Sequence, residues 1–249
     1  DALTTGTNNV AIGFAALSAE DAHGGNIAIG RYALLTQDAG ADAYNIAIGF
    51  EAGKSITTGI YNTLLGGLAG DALTTGSSNT CIGYNSGSTL STGESNVAIG
   101  YLALDGEDTG SKNVAIGQSA LGALNYDGNG YNIAVGHDAG KSVTTGTENT
   151  LIGGLAGDSL TIGTNNVALG AHALGANVAA NRNTAIGHSA LSNMTAASAT
   201  STYNTAVGFY AGQAITSGIQ NTLIGGLAGD ALTTGHFNVA IGYLALSAE

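Results

Sequence analysis

The sequence predicts an all-β protein, a parallel β-solenoid (a β-roll) of about 14 coils. Three observations predict it. A short motif returns with a 17-residue period; each copy holds a run of β-prone residues ended by Gly; and the composition has 41 Gly but no Pro and no Trp. Charged residues make up 9% and apolar residues 44%, which is ordered and turn-rich rather than disordered. Glycine follows no G-x-y triplet, so a collagen helix is excluded.

The motif opens on Asn and reaches Gly four residues later. The pairs are Asn9 and Gly13, Asn26 and Gly30, Asn45 and Gly49, Asn62 and Gly66, Asn79 and Gly83, Asn96 and Gly100, and Asn113 and Gly117. They continue with Asn132 and Gly136, Asn149 and Gly153, Asn166 and Gly170, Asn183 and Gly187, Asn204 and Gly208, Asn221 and Gly225, and Asn238 and Gly242. Of the 13 spacings, ten are 17 residues, two are 19 and one is 21. The Asn suits a bend, since its amide bonds nearby backbone and it tolerates left-handed conformations. Stacked in register, these side chains are expected to form an amide ladder. The β-prone residues that follow suit one short strand per coil, stacked in parallel at ~4.8 Å, so 14 coils give a rod of roughly 65–70 Å. Gly at the strand end permits positive φ. These roles are structural.

Residues one and three after the Asn, such as Val10 and Ile12, share one face of the strand. The opposite face carries Ala11, Ala28, Leu64, Ala98 and their equivalents, so both faces are apolar and both are expected to be buried. A coil this thin hides only one set, and a neighbouring chain is the simplest cover for the other. Where the middle residue is Leu (Leu64, Leu151, Leu223), the residue after the motif Gly is also Gly and is followed by Leu, which reads as volume compensation at a packed seam.

A finer order lies above the coil. Seven residues after the Asn stands Ala, or Ser86 in one copy, and the next residue is Leu or Gly in the order L, L, G, G, G, L, L, G, G, L, L, G, G, L. The repeating unit is four coils, two Gly-type and two Leu-type, with one extra coil at Asn79. The longer spacings place loops at 35–44, 122–131 and 192–203, one per unit. Residues 1–249 read as one repetitive segment, uncapped at both ends and excerpted from a longer fibre.

The motif N-x-V-A-I-G-x-x-A is similar to the head repeats of trimeric autotransporter adhesins, and the copies resemble the NTAIGxxAL/TTG repeats of phage tail fibres still more closely. The resemblance covers essentially the whole chain. It implies a homotrimer, an extracellular place on a bacterial surface or a virion, attachment to a host-cell or surface glycan or protein receptor, and no catalytic residues. It does not choose between a bacterial adhesin and a virion fibre.

Five Lys+Arg against 17 Asp+Glu give a net charge of −12, too few cations for a phosphate-binding track, so nucleic acid is not an expected partner. No apolar run approaches the ~20 residues of a membrane span, so membrane insertion by this segment is not expected. Cys81 stands where other coils place Ala or Leu and reads as a small buried hydrophobe. GFEAGKS from Gly49 and GHDAGKS from Gly136 have three residues between their glycines where a phosphate-binding loop needs four, so Lys54 and Lys141 read as solvated turn residues. The histidines (His23, His137, His172, His188, His236) show no short-spaced partner, and no metal ligand set is expected from them. The acidic turns at Asp105, Glu107 and Asp108, and at Asp127 with Asn129, suit either a Ca²⁺ ion or plain solvation.

Phe14, Phe50, Tyr84, Tyr101, Phe209 and Tyr243 share the position after the motif Gly, and Tyr44, Tyr61, Tyr131, Tyr203 and Phe237 precede the Asn. Exposed aromatic rows stack on sugar rings or, alternatively, shield a solenoid edge or trimer groove. No carboxylate pair is set in a groove as a depolymerase requires, so an enzyme is not expected. The main expectation is a non-enzymatic adhesin stalk or tail-fibre segment. The alternatives are an ice-binding surface, suggested by Thr pairs such as Thr4–Thr5 and Thr57–Thr58, and a polymerising filament.

Overall fold

Each motif Asn is followed by three residues of strand in a computed structural model that describes residues 5–20, 22–195 and 200–247. The strand stops at three residues because the motif Gly turns out of the sheet. Gly66 sits at φ 135°, and a Cβ on it would stand 2.5 Å from the carbonyl oxygen of Gly83 in the next coil. Only glycine fits that stacked column.

The chain divides into two units, residues 1–130 and 131–249, each a parallel β-solenoid of one strand per coil. The first unit carries β1 (Val10–Ile12), β2 (Ile27–Ile29), β3 (Ile46–Ile48), β4 (Thr63–Leu65), β5 (Thr80–Ile82), β6 (Val97–Ile99) and β7 (Val114–Ile116). The second carries β8 (Ile133–Val135), β9 (Thr150–Ile152), β10 (Val167–Leu169), β11 (Thr184–Ile186), β12 (Thr205–Val207), β13 (Thr222–Ile224) and β14 (Val239–Ile241). Neighbouring strands within each unit pair parallel and in register, as Ala47 with Leu64 and Ala134 with Leu151.

Three corners close each coil, and most are made by non-glycine residues in the left-handed region. In the coil that begins at Asn62 these are Tyr61 (φ 62°) before the Asn, Leu68 (φ 58°) and Gly70. Left-handed geometry costs an L-residue roughly 1–2 kcal/mol. Each corner N–H, however, bonds an adjacent coil: Tyr61 to the Ala43 carbonyl (2.8 Å), Leu68 to Phe50 (2.8 Å) and Gly70 to Ser86 (3.0 Å). The Asn itself is not left-handed; the residue before it is.

The interior holds the middle strand residue, the motif Ala, the corner residue after that Ala, and a turn residue three further on. Gly-type coils combine a Gly corner with an aliphatic turn residue: Gly53 with Ile56, Gly70 with Leu73, Gly87 with Leu90. Leu-type coils carry Leu at the corner, some with a polar turn residue (buried Leu104 with buried Glu107, buried Leu174 with buried Asn177) and some with an apolar one (Leu121 with Leu124, Leu191 with Met194). The space at each Gly corner is taken by the larger middle residues. A Cβ on Gly53 would stand 2.6 Å from Leu64 Cδ1, and one on Gly70 would stand 2.9 Å from Leu64 Cδ2. The expected volume compensation for Leu64 is therefore real, but the corner glycines provide it. Gly67, the residue after the motif Gly, faces the Tyr84 ring instead.

Candidate interaction face

The buried Asn side chains tie successive coils together. Asn62 Oδ1 accepts the Asn79 N–H at 2.9 Å, while Asn62 Nδ2 donates to the Gly76 carbonyl at 2.9 Å across its own coil. In the second unit Asn149 Oδ1 accepts the Asn166 N–H at 3.1 Å, and Asn149 Nδ2 donates to the Gly163 carbonyl at 2.8 Å. The ladder is thus side chain to backbone first; amide-to-amide bonds, such as Asn79 Nδ2 to Asn62 Oδ1 at 3.2 Å, run beside it.

With the middle strand residues inside, the residues on either side of them point outward. Ile48 is 38% exposed, Leu169 43% and Ile224 39%, while Ala47, Ala168 and Leu223 are fully buried. In each unit the outer sheet face is an aliphatic and Thr surface, half open to solvent. Aromatics border it on both sides. After the motif Gly, Tyr84 and Tyr101 stack at 6.1 Å, and Phe14, Phe50, Phe209 and Tyr243 stand exposed at the same coil position. Before the Asn, Tyr44 and Tyr61 stack at 5.8 Å, and Arg182 lies 5.7 Å over the Tyr203 ring. A face that is apolar in the middle and aromatic at its rims suits a flat protein partner or ring-shaped ligands.

His137 and His188 are exposed, but His188 is not alone. Its ring stacks on Phe209 at 5.6 Å and meets His172 at 5.9 Å. With Asp158 and Tyr210 these histidines line an open polar groove of about 490 Å³ in the second unit. Burial raises the Asp158 carboxyl pKa, with a backbone hydrogen bond and then His172 offsetting only part of the rise. The sequence signal was a 16-residue separation, one coil less one, rather than a short spacing.

The acidic turns are occupied internally. Glu107 is fully buried; its Oε1 accepts the N–H groups of Gly110 (2.8 Å) and Asp108 (3.1 Å), and its Oε2 accepts that of Tyr126 (3.3 Å). Burial lifts its pKa, and those N–H bonds hold it partly down. Asp127 Oδ1 accepts the Thr109 hydroxyl at 2.6 Å, and Asp108 accepts that of Ser91. Lys54 and Lys141 each pair within their own turn, with Glu51 (3.0 Å) and Asp138 (3.2 Å). In several Thr pairs the first hydroxyl is committed to the next coil, Thr57 to the Thr74 carbonyl (3.2 Å) and Thr144 to that of Thr161 (3.2 Å). Thr4, and residues 196–199 of the third loop, lie outside the described residues.

Among the described residues one trio gathers metal-ligand atoms, Glu20, His23 and Asp38. His23 does have a short-spaced partner after all, since its Nδ1 lies 3.2 Å from Glu20 Oε1. No described helix is long and apolar enough to cross a membrane. Comparison with protein-family models, with curated proteins and with solved structures finds no match to this chain.

Proposed function

We propose that this chain is a segment of a non-enzymatic extracellular fibre, an adhesin stalk or tail-fibre shaft, that associates with copies of itself as a homotrimer. The observation that carries the proposal is the outer sheet face, where Ile48, Leu169 and Ile224 stand more than a third exposed in coils whose interiors are already full. A repeated apolar face of this kind marks an interaction surface rather than a solvated one. The aromatic rims and the loops then serve attachment to a glycan or protein receptor on a host cell or other surface. The fold supports this reading because within each unit like coils are held one to the next by backbone and Asn bonds, which suits them to carrying load. The test is the solution mass by light scattering. A value near three times the 24.3 kDa chain is expected. A monodisperse single chain overturns the trimer, and length-distributed species indicate a filament.

A further inference from the structure

We propose that Glu20, His23 and Asp38 form a binding site for one divalent transition-metal cation of the Zn²⁺ type, clamped between the first two coils. One imidazole nitrogen and two carboxylate oxygens lie within 4.8 Å of one another. Metal–ligand distances at Zn²⁺ are about 2.0–2.2 Å, so the ligand atoms of a tetrahedral ion stand about 3.3–3.6 Å apart, and Glu20 Oε1 and His23 Nδ1 are already 3.2 Å apart. The exposed Asp38 side chain closes the remaining gap, a shift of roughly 1 Å that an exposed side chain can make.

Coil architecture alone does not account for the trio. Glu20 occupies the same coil position as Glu107 and Asn177, and all three cap a corner: Glu20 Oε1 accepts the His23 N–H at 2.9 Å, Glu107 that of Gly110 at 2.8 Å, and Asn177 that of Ala180 at 2.9 Å. Glu107 also uses its second oxygen, on Tyr126. Glu20 does not: its Oε2 is buried without a hydrogen-bond partner, in a side chain with no exposure. A buried carboxylate oxygen lacking a donor is unfavourable unless something positive meets it. At the position of His23 the other two coils carry Gly110 and Ala180, and at that of Asp38 their following coils carry Asn125 and Thr195. Asn177 Nδ2 is also buried without a partner, but it is a donor; the His and Asp stand only beside Glu20, where the unpartnered atom is a carboxylate oxygen. The mixed nitrogen and oxygen set favours Zn²⁺ over Ca²⁺ or Mg²⁺, which take oxygen ligands. His23 is partly exposed, so the site opens to solvent for entry, and a water completes the tetrahedron.

The whole chain is titrated with Zn²⁺ by calorimetry, with Ca²⁺ in excess as competitor. One Zn²⁺ per chain is expected, untouched by Ca²⁺ and accompanied by a rise in Tm. His23→Ala and Asp38→Asn, both on solvent-reaching side chains, weaken binding by at least about tenfold and abolish the Tm rise. The double variant His172→Ala/His188→Ala leaves both unchanged. Absence of saturable Zn²⁺ binding overturns the proposal. So does binding that survives His23→Ala and Asp38→Asn, binding that is lost in the double variant, or displacement by Ca²⁺.

Discussion

Asn62 Oδ1 accepts the backbone N–H of Asn79 at 2.9 Å, from a side chain wholly shut off from solvent. The same amide donates to the Gly76 carbonyl at 2.9 Å, so one side chain closes its own coil and fastens the next. Asn62→Ala strands a buried donor and a buried acceptor, each worth roughly 1–3 kcal/mol. A large fall in denaturant midpoint is expected, with Tyr61→Ala next door close to neutral. Equal effects from the two would sink this account of the ladder.

Adjacent glycines offer a sharper contrast. Gly153 holds φ at 132°, and a Cβ on it would stand 2.6 Å from the Gly170 carbonyl; a Cβ on Gly154 meets nothing within 4 Å. Gly153→Ala is expected to be severely destabilising. Gly154→Ala is expected to stabilise by about 0.4–1 kcal/mol through the unfolded chain. Thermal melts of the two variants decide it.

Burial raises the carboxyl pKa of Glu107, and likewise those of Asp71, Asp105 and Asp158. A folded value above the unfolded one means the native state holds more protons between the two. Stability is therefore greatest below the ordinary carboxylate range of about 4 and falls as pH rises through the raised values. Self-repulsion among the charges behind the net −12 acts in the same direction. Melts at fixed ionic strength should show Tm declining from mildly acid to neutral pH, with a shallower slope in Glu107→Gln. A Tm that climbs toward neutrality contradicts this.

Cys81 lies fully buried against the Gly87 corner, and burial pushes its thiol pKa up to about 12. The native protein should resist thiol reagents at pH ~8 and expose one reactive thiol per chain in denaturant. Rapid native labelling would show that the coil opens locally.

If the outer sheet face carries self-association, Ile48→Asp should lower the solution mass to that of one chain while the far-ultraviolet spectrum stays native. Ile48 is already 38% exposed, so the fold itself has little to lose. An unchanged mass would move the interface elsewhere.

The strands and their register were legible because period, alternation and the closing Gly all point the same way, as in Asn45 to Gly49. The corners were not. Tyr61, Leu68 and Leu104 have no leaning toward left-handed geometry; bonds to adjacent coils impose it. The source of volume compensation was missed for a related reason. Gly53 and Leu64 are neighbours only after the chain has wound into the next coil. Glu20 and His23, three residues apart, were within reach of inspection, whereas Asp38 joins them only through the coil.

The fit of Leu64 between Gly53 and Gly70 also sets a grammar for changes in length. Whole coils are the letters, and interior volume decides which may follow which. The coil beginning at Asn79 is dispensable on this rule. Excising 79–95 would set the Asn62 coil before the Asn96 coil, the same junction that the second unit makes between Asn149 and Asn166. The protein can be lengthened or shortened by copying and deletion, but only in whole words.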